Sequence, residues 1–182
     1  MRVINKKVNL RVFIAVLSVS VALGTITLAN AASGPSANGH GSLPDGQDEN
    51  GRSIERQFSF SVVTRQDGTV DGHAMLHSSA FDGAHGNQPY MLQIDISCMK
   101  VIGNVVFFGG LTRRTTDLNL VDAVYFSVQD NGEPGKGSDM LSRAFFFDDD
   151  PTTVGDPQLC QGNQLGDFEM EPILSGNINV RE

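Results

Sequence analysis

The sequence predicts an all-β protein: an antiparallel β-barrel of about seven or eight strands after a signal peptide, with a two-sheet β-sandwich as the alternative. Apolar and polar residues alternate along several runs after residue 57, as in half-buried strands. Turn signals such as Asp-Gly and Gly-Asn separate these runs, and no segment combines a helical period with helix caps. We favour the barrel because long strands joined by consecutive hairpins can close and so remove exposed edges.

The first 31 residues have the features of a secretory signal peptide. Four positive charges in residues 1–11 precede an apolar stretch over residues 12–28, and Ala29 and Ala31 supply the small residues that a signal peptidase reads. The apolar stretch is short for an uncleaved membrane anchor, which needs about 20 apolar residues. We therefore predict cleavage after Ala31 and a secreted protein, either extracellular or periplasmic.

The chain is acidic, and its charge limits the partners that it can bind. The formal net charge is −8, and loss of the four positive charges of the leader makes the mature chain −12. Nucleic acids and anionic lipid surfaces are negatively charged and would repel such a chain. We predict no nucleic-acid partner and no membrane association after signal cleavage.

Residues 32–55 are predicted to be a flexible tether between the leader and a single all-β domain, residues 56–182. The tether is rich in Gly, Ser, Asn and Asp and has almost no large apolar side chain. Such a segment buries too little surface to offset the entropy lost on ordering. His40, within it, is expected to be solvated.

The strands of the domain follow from the alternation. Phe58, Phe60 and Val62 alternate with serines, Asp67-Gly68 supplies a turn, and the alternation then resumes, which predicts a hairpin over residues 57–79. In the next strand Cys98 shares a face with the apolar residues from Tyr90 onward. The remaining strands are predicted over residues 90–98, 105–111, 121–129, 141–147 and 173–180.

Two segments are apolar on both faces, Val105–Phe108 and Phe145–Phe147. A strand of this kind is covered on both sides. We favour a cover from within the chain, namely the tether, a loop or a stray helix lying outside the sheet. The alternative is a homo-oligomer that forms through these apolar strand faces.

Cys98 and Cys160 are the two cysteines of the chain, and in an exported protein they predict one disulfide. The bond would close a loop of 62 residues, which is worth about 4 kcal/mol by loop-closure arithmetic. Two free buried thiols are the alternative. We do not expect a catalytic cysteine, because no activating His or basic residue adjoins either position.

Four segments of the chain together form a recognisable pattern: Arg56–Phe60, Asp67–Val70 with Gly72, Ile96–Cys98 leading into Val101–Asn104, and Val128–Gly135. With this pattern the chain resembles a largely uncharacterised group of secreted bacterial β-rich modules, which carry a V-x-DNGEPG loop and a cysteine pair. The resemblance covers most of residues 56–181. It implies an all-β fold and export, and it implies no activity, ligand or catalytic residue.

The chain lacks the catalytic motifs that a defined spacing would reveal. It has no Gly-x-Ser-x-Gly elbow and no His-Glu-x-x-His zinc motif. Residues 135–138, Gly-Lys-Gly-Ser, lack the upstream Gly and the hydroxyl residue of a phosphate-binding loop. We name no catalytic residue, leave enzymatic activity open, and favour a protein that is not an enzyme.

Two sets of polar residues are candidates for a site. Asp71 and His73 lie two apart on one predicted strand face and, with Asp95, could line a pocket inside the barrel. The second set surrounds two glycines in an acidic loop and offers the oxygen ligands that Ca²⁺ prefers, although its spacing is not that of an EF-hand. This second set is Asp130, Asn131, Glu133 and Asp139.

These observations leave three hypotheses for the function. The favoured one is an exported, non-catalytic β module with a binding or structural role. The second is a small enzyme or ligand carrier with its site inside the barrel. The third is a calcium-stabilised extracellular domain, with Ca²⁺ as its one cofactor.

Overall fold

The computed structural model describes residues 34–81, 89–117, 120–132, 139–146 and 154–182. Strands make up most of these residues, and the one helix among them is a short 3₁₀ helix, Pro157–Gly162. The prediction of an all-β fold is therefore confirmed. The strands are β1 (Ser36–Gln47), β2 (Ser53–Thr64), β3 (Val70–Ser78), β4 (Tyr90–Ile102), β5 (Val105–Thr115), β6 (Ala123–Gln129), β7 (Met140–Ser142), β8 (Phe145–Phe146), β9 (Met170–Pro172) and β10 (Ser175–Arg181).

The described strands form one antiparallel sheet that curls into a half-barrel, so the barrel prediction holds over the sandwich. Their order is β10-β1-β2-β3-β4-β5-β6-β7-β9, with β8 paired to β6. The ten strands exceed the seven or eight predicted, partly because β1 was not predicted and partly because the segment 141–147 contains both β7 and β8. The last two strands, β9 and β10, lie at opposite ends of this order, yet only residues 173 and 174 separate them in the chain.

The tether prediction for residues 32–55 is wrong over residues 36–47, which form β1, and over residues 53–55, which begin β2. The strand β1 is paired on both sides, with β2 and with β10, so its backbone is bonded even though many of its side chains are small. Gly39 lies opposite Phe60 and Gly41 opposite Phe58. A Cβ at Gly39 would come within 2.6 Å of the Phe60 ring. The glycines of β1 therefore leave room for aromatic rings of β2, and their abundance does not indicate flexibility.

The inner face of the sheet is a continuous hydrophobic core. Phe60, Phe108 and Phe126 lie at its centre, with ring centroids 5.4 Å apart for Phe60–Phe108 and 4.8 Å apart for Phe108–Phe126. Aliphatic residues of the neighbouring strands pack around these rings. The interior is thus occupied by apolar side chains, and for β2 and β4 these stand at positions that the alternation predicted.

A bulge in β4 changes the face on which Cys98 lies. The pairing of β4 with β5 shifts register between Ile96 and Cys98, so the alternation that places Ile94 and Ile96 in the core is interrupted. A bulge residue reverses the phase of the side chains that follow it. Cys98 consequently belongs to a small outer cluster with Cys160, whereas the sequence placed it on the inner face.

The two ends of the sheet are joined by two aspartates, the buried Asp139 and the half-buried Asp130, as well as by the chain. The Asp139 carboxylate is fully buried and accepts the amides of Asn131 and Ile178, at 3.0 and 2.8 Å. Asp130 accepts the amide of Val180 at 2.8 Å. Ile178 and Val180 belong to β10, while both aspartates belong to the turn between β6 and β7. Carboxylates therefore accept hydrogen bonds from the backbone amides on the edge of β10 that does not face β1.

We expect Asp139→Ala to lower the free energy of unfolding by about 2–4 kcal/mol, because it leaves the buried amide of Ile178 and the part-buried amide of Asn131 without their acceptor. Asp67→Ala is the matched control. Asp67 also accepts a backbone amide, that of Thr69, but in an exposed turn where water can replace it. Urea denaturation of both variants measures the difference, and equal losses would contradict the role of Asp139 in holding β10.

A buried arginine makes a second contact between distant parts of the sheet. Arg56 of β2 is 1% exposed and donates to Glu171 of β9 at 2.8 Å, and Arg143 donates to the same carboxylate at 2.9 Å. The nearby hydroxyl of Tyr90 is buried, which raises its pKa well above the ordinary value and keeps the phenol neutral. The charge of Arg56 is therefore matched by Glu171 inside the fold.

Candidate functional site

The predicted interior pocket of Asp71, His73 and Asp95 does not exist, because all three side chains are exposed on the outer face of the sheet. On β3 the inward positions are those of Ala74 and Leu76, so the odd-numbered residues point outward. His73 does lie opposite Asp95, as neighbours on β3 and β4. The correction follows from the phase of the alternation, in which the apolar residues of β3 take the core face.

The outer carboxylates are engaged in exposed ion pairs. Arg65 pairs with Asp71, and Arg113 lies 3.6 Å from Asp95. Pairs of this kind are solvated and contribute little to stability. The grooves beside them lie on the surface of the sheet and have volumes of about 640 and 270 Å³. This arrangement gives none of these carboxylates the buried setting in which a catalytic acid or base is usually tuned.

The predicted calcium loop is brought together in part. Asp130, Asn131 and Asp139 are neighbours, but both aspartates use their oxygens to accept backbone amides, and Glu133 lies outside the described residues. Within the described ranges, no group of three or more His, Cys, Asp or Glu side chains is arranged to hold a metal ion. Calcium binding by this loop stays a prediction, which melting with excess Ca²⁺ and then with a chelator would test.

The most distinctive surface feature lies on the outer side of β4, β5 and β6. Residues 154–168, which include the 3₁₀ helix and which we call the outer platform, pack on these strands. Asp156 caps the helix by accepting the amide of Gln158 at 2.9 Å. Cys160 of the helix is bonded to Cys98 of β4, with the sulfur atoms 2.01 Å apart, so the predicted disulfide is confirmed.

Hydrogen bonds hold the outer platform to the sheet along its length. The Tyr125 hydroxyl donates to the carbonyl of Asp156 at 2.6 Å. The Gln158 and Gln161 side-chain amides donate to carbonyls of β4 at 3.0 and 3.1 Å. Lys100 donates to the carbonyl of Gln161 at 2.9 Å. Together with the disulfide, these bonds fix the position of a segment that has little regular structure of its own.

Gly109 allows the outer platform to lie close to β5. A Cβ at this position would come 2.1 Å from the Pro157 carbonyl oxygen and 3.0 Å from the Cys160 side chain. We expect Gly109→Ala to displace the 3₁₀ helix and to lower the free energy of unfolding by about 1–3 kcal/mol. Gly162→Ala is the control, because a Cβ there meets nothing within 4 Å. Similar urea midpoints for the two variants would show that the contact at Gly109 is unimportant.

The outer platform covers the second apolar face that the sequence indicated on β5. Phe107 points outward, and its ring centroid lies 5.9 Å from that of Phe168. The prediction of a cover from within the chain is confirmed for this strand, although the cover is a loop and helix and not residues 32–55. The homo-oligomer through apolar faces stays a prediction.

An apolar cleft opens beside Phe168, and we call it the Phe168 cleft. It has a volume of 540 Å³ and is lined mainly by Tyr125, Phe145, Leu159 and Phe168, with Asn163 and Asp167 as its polar members. Phe145 is 41% exposed and Leu159 is 56% exposed. The Phe145 and Phe168 rings meet edge to face with centroids 5.2 Å apart. The cleft is therefore a concave surface of aromatic and aliphatic side chains in contact with solvent.

The sequence indicated that the segment containing Phe145 is apolar on both faces, but it did not single out Leu159 or Phe168. These two residues are large apolar side chains in a loop between strands. Leu159 adjoins Cys160, and this is a signal that could have found it, because a disulfide holds its neighbours against the sheet; Phe168 lies farther along the chain and has no such signal. The bulge that turns Cys98 outward could not be read from the sequence pattern.

Comparison of the chain with family models, with curated proteins and with solved structures finds no match. The function is therefore inferred from the residues and their geometry. Across the described segments, no helix has the length and hydrophobicity that a bilayer-spanning helix needs.

Proposed function

We propose that this chain is an exported, non-catalytic β module that acts by binding a partner at its outer surface. The observation that carries the proposal is that apolar side chains lie in two separate places, the core and the outer surface. The core rings pack against one another inside the sheet, whereas the Phe168 cleft presents apolar side chains to water on a platform held by a disulfide. Exposed apolar clefts of this kind are typical of interaction sites.

The filled interior argues against an enzyme or carrier whose site lies inside the barrel. A ligand there would have to displace Phe60, Phe108 or Phe126, all of which are buried and in mutual contact. Protein interiors are close-packed, so buried rings in mutual contact leave little room for another molecule. The polar residues that were expected to serve such a site, Asp71, His73 and Asp95, lie on the opposite face.

Export is supported by independent features of the sequence and the fold. The leader pattern of residues 1–31 is that of a secretory signal. Disulfides persist in oxidising compartments, and here one joins the outer platform to the sheet. The resemblance to secreted bacterial β-rich modules agrees with both. We propose an extracellular or periplasmic location, with no nucleic-acid or membrane partner because of the acidic charge.

Native mass spectrometry of the exported protein tests this proposal. The full chain is produced with its own leader in a bacterial host and collected from the exported fraction. We expect a polypeptide that begins at Ala32, has no alkylatable thiol and carries no small molecule. A chain retained in the cytoplasm with two free thiols would contradict export, and a stoichiometric small molecule released only on unfolding would contradict the filled interior.

A further inference from the structure

Taking the proposed binding role as given, we infer that the Phe168 cleft binds a polypeptide segment that carries large apolar side chains next to basic ones. The inference combines three observations on the described residues. They are the apolar lining of the cleft, the fixed position of its walls, and the negative charge at its rim.

The lining of the cleft suits aromatic or aliphatic side chains of a partner. Tyr125, Phe145, Leu159 and Phe168 supply most of its surface. Burial of such residues releases about 25 cal/mol for each Å² of apolar surface removed from water. Aromatic side chains that line a pocket are also common among the residues that dominate binding energy.

The walls of the cleft are held before any partner arrives. Leu159 lies in the 3₁₀ helix beside Cys160, which the disulfide joins to β4. Tyr125 belongs to β6 and bonds the outer platform through its hydroxyl. Phe145 belongs to β8, which pairs with β6. A site that is already ordered loses less conformational entropy when it binds.

The charge at the rim of the Phe168 cleft is the reason to expect basic side chains in the partner. Asp167 lines the cleft, and Glu169 directly follows Phe168, with both side chains exposed. Asp167 is the one charged side chain among the described lining residues, and neither nearby cation lines the cleft, since Lys100 donates to the carbonyls of Gln161 and Asn163 and Arg143 pairs with Glu171. Basic groups of a partner would therefore meet the Asp167 carboxylate at the cleft, which favours their approach and orientation.

A second copy of this chain is a poorer occupant on the same grounds. Each chain has a formal net charge of −8, so two copies repel each other. Two copies related by a twofold axis would also bring the acidic rims of their clefts together. Charge complementarity thus favours a different, basic partner over self-association.

Fluorescence titration with short synthetic peptides tests the inference. The chain contains no Trp, so one Trp in each peptide is the only indole reporter. Three peptides of equal length are compared: Leu and Phe alternating with Lys, the same apolar residues alternating with Glu, and Ser alternating with Lys. We expect the first to bind at least about tenfold more tightly than either of the others.

Two variants of the full chain locate the binding. Leu159→Gln removes an exposed apolar side chain of the cleft without changing its charge and should weaken binding of the first peptide at least about tenfold. Met75→Gln is the control, since Met75 is an exposed apolar residue of β3 on another part of the sheet, and it should leave the affinity unchanged. Circular dichroism of both variants establishes that they fold.

The inference is overturned if the three peptides bind equally, or if Leu159→Gln binds the first peptide as the unmodified chain does. It is also overturned if sedimentation shows a dimer of the unmodified chain that Leu159→Gln abolishes, because the occupant would then be a second copy. These failures differ from failure of the proposed function, which native mass spectrometry would reveal as a ligand held inside the sheet.

Discussion

Replacing Phe108 with alanine is expected to lower the free energy of unfolding by about 3–5 kcal/mol. Phe108 is completely buried on the inner face of β5, and its ring contacts those of Phe60 and Phe126. Removal of the ring loses its transfer free energy and leaves a cavity that the surrounding strands cannot fill. Chemical denaturation monitored by far-ultraviolet circular dichroism measures the loss.

Phe145→Ala is the matched control for this substitution. Phe145 is also a phenylalanine of the sheet, but it is 41% exposed at the Phe168 cleft. We expect well under half of the loss seen for Phe108→Ala, because the deleted ring was partly solvated. Equal stability of Phe108→Ala and Phe145→Ala would contradict this expectation. The interior would then contain enough free space for a ligand, and a site inside the sheet would again be possible.

Removal of the disulfide is expected to have the second large effect. Replacing Cys98 and Cys160 together with alanine should lower the free energy of unfolding by about 4 kcal/mol, since the bond closes a loop across a sequence separation of 62 residues. The 3₁₀ helix would also lose its covalent connection to β4, so peptide binding at the Phe168 cleft should weaken.

The effect of a reductant on the two proteins provides the control. Dithiothreitol should reduce the stability of the unmodified chain to about the level of the double variant and should leave the double variant unchanged. If the unmodified chain unfolded at the same denaturant concentration with and without reductant, the disulfide would not contribute to the fold.

Much of the fold could be predicted because its core strands follow the alternation closely. Phe58, Phe60 and Val62 on β2 and Leu92 and Ile94 on β4 are inward in the structure, as the pattern indicated. The disulfide followed from a cysteine count of two and from the leader. These features depend on local patterns or on counting, which a sequence displays directly.

The features that were missed depend on contacts between distant segments. The glycines of β1 are explained by rings on β2, and nothing within residues 36–47 reveals those rings. The outward position of Cys98 follows from a bulge set by pairing with β5. The same holds for Asp139, whose carboxylate bonds an amide of β10 that lies 39 residues away in the chain.

Methyl resonances of Leu, Ile and Val distinguish binding on the outer surface from binding inside the sheet. The labelled chain is titrated with the Leu-Phe-Lys peptide described above. We expect shifts at Leu159 and its neighbours on the outer platform, with the core methyl groups of Leu92, Ile94 and Val106 unchanged. Shifts that are largest at the core methyl groups, with Leu159 unaffected, would contradict binding on the outer surface.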